Sequence, residues 1–239
     1  MFLHEIFLMQ DSSDDDLQSL SKHVFQVLFP AFPNSPQNIS EIIKIYLQFL
    51  RNPNSGDSWH RRKRILPALS IVYYQNLHIL KREQQEEVLD QVHKLLFDSQ
   101  VEIRQLAANT LSGLVRCSNQ RDAIIKIIES STTFLSSVKF PRRSADISND
   151  VILKCHACVL ALGALILAFP YEIMNWMPDS LVTLAHCVSY SSPIGPEVKK
   201  IFAEFRRTHQ DNWQEDKTKF SQDQLYELSD LLISPSYYV

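Results

Sequence analysis

Three groups of residues in this sequence have the types and spacing to do chemistry. The first is "CHAC", with Cys155 and Cys158 three positions apart, followed later by the adjacent His186 and Cys187. Four such ligands can hold zinc. Zinc sites of this kind, however, usually present paired ligands on short loops, and these residues sit in apolar helical faces. The expectation is therefore no metal, with small reduced cysteines filling close helix contacts. The second group is "WHRRKR", where Arg61, Arg62, Lys63 and Arg64 follow His60. This run is either a basic patch for a phosphate-rich or acidic partner, or a solvated helix face. The third is the C-terminal "SPSYYV", where Tyr237, Tyr238 and Val239 carry the terminal carboxylate. An anionic end with aromatic anchors suits a narrow basic pocket. The other reading is a frayed terminus folded back on its own core.

Nothing else supplies a reaction. GxSxG, HExxH and the glycine-rich phosphate loop are all missing, so no enzyme and no cofactor are expected. The chain has 239 residues, 45% hydrophobic and 21% charged, which is globular composition. Its 4 glycines disfavour a turn-dense sandwich, and a formal charge of −3 makes no case for direct nucleic-acid binding. The first residues, "MFLHEIFLMQDSSDDD", have no basic leader, which favours a reducing compartment. Val151 to Phe169 is apolar, but Lys154 and His156 leave an unbroken run only from Ala157 to Phe169. That suits a buried core helix better than a membrane span of ~20 residues, so no membrane association is expected.

The elements that must carry these groups read as helices. In "EEVLDQVHKLLFD", Val88, Leu89, Val92, Leu95 and Leu96 make one helical face, and Ile103, Leu106, Ala107, Leu111 and Leu114 make the next. Further helices are expected over Asp15 to Phe29, Ile39 to Arg51, Trp59 to Leu80, Arg121 to Val138 and Val151 to Phe169. "PDSLVTLAHCVS" then pairs with "PEVKKIFAEFRRTH", and a capping box at Ser221 and Gln224 starts a last helix through Leu232. Loops are expected at Pro30 to Pro36, Asn52 to Asp57 and Phe140 to Asn149. Lys139, Arg142 and Arg143 lie at the start of this last loop and are a short candidate nuclear-import signal. The fold class expected is all-α. With Asp98 at an inter-helix turn, then Val101, Arg104, Ala107, Ala108, Leu111 and Leu114, one helix pair resembles a HEAT repeat. The resemblance implies an α-solenoid of HEAT/armadillo-like repeats, in which neighbours must stack to bury each unit's apolar face.

The C-terminal stretch "FRRTHQDNWQEDKTKFSQDQLYELSDLLISPSYYV", with "ALGALILAFPYEIMNWMP" upstream, resembles the large single-chain proteasome activators of the subunit-four or Blm-ten type. The resemblance implies a division into HEAT-like repeats over 1–150 and an activator C-terminal domain over 151–239. It implies that the final hydrophobic–tyrosine–any-residue signature, Tyr237, Tyr238 and Val239, docks on the α-subunit ring of the proteasome core particle. Gate opening would then need neither ATP nor ubiquitin. For some relatives it also implies a bromodomain-like region, here about 41–135, in which Asn119 would read acetyl-lysine. Acetylated histones, DNA repair, and location in nucleus and cytoplasm follow from the same resemblance. The alternative is a generic HEAT-repeat adaptor or transport-receptor fragment that uses a helix face instead of its tail.

Overall fold

The computed structural model describes residues 5–6, 9, 12, 14–28, 35–51, 58–118, 120–138 and 148–232. Every regular element among them is helical, and none of them lies in a strand. The elements are α1 (Asp15–Leu28), α2 (Pro36–Arg51), α3 (Ser58–Gln75), α4 (Arg82–Leu95), α5 (Val101–Cys117) and α6 (Arg121–Ser137). They continue with α7 (Asn149–Leu167), α8 (Met177–Ala185), α9 (Ile194–His209), α10 (Trp213–Asp216), a 3₁₀ turn (Lys217–Lys219), α11 (Gln222–Glu227) and α12 (Ser229–Leu232). The chain forms two compact units, Met1–Thr110 and Leu111–Val239, and α5 contributes residues to each.

In the first unit, local chemistry sets the helix starts. Asp14 Oδ1 accepts from the Asp16 and Leu17 amides at 3.0 and 3.2 Å, which caps α1. Ser35 Oγ accepts from the Asn38 amide at 3.2 Å, and Pro36 occupies the first helical position, where its missing N–H costs nothing. Pro36 thus belongs to α2 and not to the linker expected there. The inner face of α2 is Ile39, Ile42, Ile43, Tyr46, Leu47 and Leu50, all buried, and it packs on α3 and α4. The third helix stops at Gln75, short of the expected Leu80. Asn76 turns its side-chain amide back to the Val72 carbonyl at 2.9 Å, while the Ile79 and Leu80 amides bond the Asn76 carbonyl in a turn.

The inter-helix corner before α5 is held by charge. Asp98 Oδ2 lies 2.8 Å from Arg62 Nε on α3, with both side chains almost wholly buried. Asp98 Oδ1 also accepts from the Gln100 amide at 2.9 Å. Arg104 donates to the Asp98 and Ser99 carbonyls at 2.7 and 3.0 Å, so it ties the turn through the backbone. Ile103, Ala107, Leu111 and Leu114 are buried as the periodicity expects, but Leu106 is only half-buried at the border of that stripe.

The second unit is built around α7. Ser148 Oγ caps it by accepting from the Val151 amide, and every residue from Cys155 through Ile166 is buried. On length and composition this helix could cross a membrane. Its burial inside the unit, against α6, α8 and α9, accounts for the apolar run instead. The approach of α9 is close at Gly163, where an added Cβ would overlap the side chain of Ile201. At the C-terminal end of α7, Arg116 donates to the Leu167 and Ala168 carbonyls at 3.3 and 3.2 Å.

Replacing Gly163 with valine should therefore lower stability by roughly 1–3 kcal/mol, since Ile201 and its neighbours must be displaced from a filled core. Urea unfolding checks this. Alanine at the same place should cost less, because the end of the Ile201 side chain can shift. Equal midpoints for native and valine forms would contradict the close packing.

Candidate functional site

The last described residues rest on α8 and α9. After α9 the chain turns, Phe220 is buried against Trp213 with ring centroids 5.8 Å apart, and Lys219 Nζ donates to the Ile173 carbonyl at 3.4 Å. Ser221 then opens α11 with the expected capping box. Its Oγ accepts from the Gln224 amide at 3.2 Å, and Gln224 Oε1 accepts from the Ser221 amide at 2.8 Å. The other end of the same side chain does something the sequence pattern did not indicate. Gln224 Nε2 donates to Asp179 Oδ1 in the first turn of α8 at 2.7 Å.

One turn further on, Glu227 Oε2 lies 3.2 Å from His186 Nε2 at the end of α8, in an exposed pair. Leu228 is fully buried and interrupts the last helix, which was expected to run unbroken to Leu232. Its amide bonds the Gln224 carbonyl, and its carbonyl accepts from both the Leu231 and Leu232 amides. The result is two short helices, α11 on α8 and α12 on α9, with Leu228 as the plug between them. Tyr237, Tyr238 and Val239 lie outside the described residues, as does Asn119.

The basic run near the start of α3 does not form one surface. Arg62 is turned inward to Asp98. Arg61 lies over the Phe49 ring, 5.4 Å from its centroid, and Lys63 Nζ is 5.9 Å from the Trp59 ring. Arg64 is half-buried. A groove of about 550 Å³ beside Arg62 is lined also by Arg51, Gln91, Lys94 and Phe97. Its cations are matched within the unit: Arg51 by Glu87 at 2.5 Å, Lys94 by Asp90 at 2.6 Å and Arg62 by Asp98. Lys139, Arg142 and Arg143 lie outside the described residues.

The cysteines of "CHAC" and "HC" lie in the core of the second unit. Burial pushes the Cys155 thiol up to about 11, and those of Cys158 and Cys187 to about 12. A hydrogen bond with Ser131 partly offsets the rise at Cys158, and Cys187 donates to the Thr183 carbonyl at 3.5 Å. His186 is directed to Glu227 and away from this cluster's role as a core filler. Among the described residues no group of three or more His, Cys, Asp or Glu side chains is placed to hold a metal ion.

Comparison with known proteins bears on the C-terminal unit and on most of the chain. Residues 152–239 match the family described as "Proteasome activator complex subunit 4-like, C-terminal". The chain is 35% identical over 238 residues to proteasome activator complex subunit 4A of Danio rerio, covering 95% of the chain and 13% of that protein. It is 38% identical over 204 residues to proteasome activator complex subunit 4 of Homo sapiens, covering 82% of the chain and 11% of that protein. It is 34% identical over 239 residues to proteasome activator subunit 4 of Arabidopsis thaliana, covering 99% of the chain and 13% of that protein. The chain thus spans only 11–13% of the length of these relatives.

Two outcomes test the charges and thiols. At pH 8 a thiol reagent should modify the exposed Cys117 quickly, and Cys155, Cys158 and Cys187 only after unfolding, because thiolate formation is suppressed and access blocked. Four fast thiols in the native chain would contradict the burial. Changing Arg62 to alanine should cost about 3–5 kcal/mol by stranding the Asp98 carboxylate. Arg61→Ala should cost under about 1 kcal/mol, the scale of an exposed cation–π contact. Similar losses at the two positions, measured by denaturant titration, would put Arg62 back on the surface.

Proposed function

Across residues 152–239 the chain belongs to the proteasome activator complex subunit 4 family, and from that premise we propose that it docks on the proteasome core particle through its C-terminal tail and promotes opening of the gate. The observation that carries this reading is that the family match runs through Val239, so that it includes the terminal Tyr–Tyr–Val. The tail enters a pocket between α subunits. There the Val239 carboxylate pairs with a lysine in a charge-assisted contact. Tyr238 presses on the pocket rim and moves the loop that closes the gate. The chain supplies binding energy and no bond chemistry, so the step needs neither ATP nor ubiquitin.

The physics of the tail supports the assignment. Pro235 cannot continue a helix, because its ring removes an N–H and clashes with the preceding turn. Burying aromatic side chains in a pocket contributes on the order of several kcal/mol before the cost of ordering the arm. The helical body has the corresponding task of carrying the arm. We read its helix pairs as HEAT-like units of a solenoid, on the strength of the buried Asp98 corner and the stripe of Ile103, Ala107, Leu111 and Leu114.

In assays of core-particle peptidase activity, deletion of Val239 or the change Tyr238→Ala should abolish stimulation by the chain while circular dichroism stays native. A tag after Val239 should be as harmful as deletion, since it moves the carboxylate from its depth in the pocket, and a tag before Met1 should be harmless. Undiminished stimulation by the Tyr238→Ala and C-terminally tagged chains would transfer the function to a helix face, as in an adaptor.

A further inference from the structure

Two stretches of twelve residues in the second unit are held in opposite ways. In α7, every residue of Cys155–Ile166 is buried. Between Ser221 and Leu232, Leu228 alone is buried, and six of the other eleven residues are exposed. Among the described residues, two side-chain hydrogen bonds tie this second stretch to the helix beneath it. Gln224 Nε2 donates to Asp179 Oδ1 at 2.7 Å, and Glu227 Oε2 lies 3.2 Å from His186 Nε2. Both links are exposed, where water competes for each partner. The capping box of Ser221 and Gln224, and the bond from Ser229 Oγ to the Tyr226 carbonyl, stay within the stretch. Its near end is fixed more firmly. Phe220 is buried against Trp213, and Lys219 Nζ donates to the Ile173 carbonyl.

We infer that residues 221–232 are a strap that opens from α8 and α9 as one piece while the α7 core stays folded, with Ser221 as hinge and Leu228 as latch. Helix α11 has six residues and α12 has four. An isolated helix in water needs roughly twelve or more to be even marginally stable. Once Leu228 leaves its place, neither short helix persists, and the strap passes from ordered to disordered in one step. The core is untouched by this step, because its burial comes from α6, α8 and α9 packed on α7. Segments with little buried apolar surface open at a lower free energy than the core beside them. The second unit therefore has two folded states that differ outside its core. Leu228 and the Gln224–Asp179 bond set the balance between them.

Hydrogen exchange of the whole chain, read peptide by peptide by mass spectrometry, separates strap opening from unfolding of the unit. Peptides within 221–232 should share one protection level, at least about ten-fold below that of α7. Gly163→Val should speed exchange in α7 at least about five-fold and leave 221–232 unchanged, because strap opening does not expose that core. Urea below the unfolding transition should show the same split without any substitution. Exchange in α7 should respond steeply and the strap only weakly, since little surface is uncovered when the strap opens. Leu228→Ala should speed the strap at least about thirty-fold, or to the rate of an unfolded chain. Gln224→Glu should speed it about five-fold, since glutamate keeps the capping box but loses the donor to Asp179. Adding Asp179→Asn exchanges donor and acceptor across that contact and should bring the rate back close to native. If Gly163→Val and urea speed both regions alike, the segment unfolds only with the unit and there is no strap. Unchanged exchange at 221–232 in Leu228→Ala would overturn the latch in the same way.

Discussion

One helix without a polar face dictates the arrangement of the C-terminal unit. From Cys155 to Ile166 every residue of α7 is buried, so the helix is stable only if other helices cover it all round. Helices α6, α8 and α9 do so, and small residues let them come close. Gly163 admits Ile201, and Cys155, Cys158 and Cys187 fill the remaining space with thiols too buried to ionise readily. The apolar length that resembles a membrane span is the consequence of being surrounded. Once α8 and α9 are fixed on α7, they present the surface on which the final segment rests.

On that surface the last described residues, 221–232, are placed by a few contacts. Leu228 supplies the burial, the Gln224–Asp179 hydrogen bond supplies direction, and α12 on α9 closes the segment at Leu232. The core thereby holds the segment that leads into the residues proposed for docking.

Much of this was legible from residue pattern, and what was not has physical reasons. Helix existence followed from apolar spacing, and the ends were legible wherever a local rule acted, as at the Ser221–Gln224 capping box. Ends set by a single side chain turning back were missed: Asn76 bonding to the Val72 carbonyl stopped α3 early, and the burial of Leu228 broke the last helix. Charge patterning treated Arg62 as one of four outward cations, whereas its partner Asp98 lies thirty-six positions away and draws it into the core. Gln224 was recognised for its local bond and not for Asp179, because a contact between distant segments leaves no trace in spacing. The residues proposed for docking were suggested by family resemblance, since Tyr–Tyr–Val alone suits either a pocket or a frayed end.

The central claim is that a free carboxylate on an aromatic tail is read by a basic pocket of the core particle. The most direct measurement compares two synthetic peptides of residues 233–239, one ending in the free acid and one in the amide, for binding to the purified core particle. A charge-assisted contact in a desolvated pocket contributes about 1.5–3 kcal/mol, so the acid should bind at least about ten-fold more tightly than the amide. Equal binding of acid and amide, or binding of neither, would contradict the account.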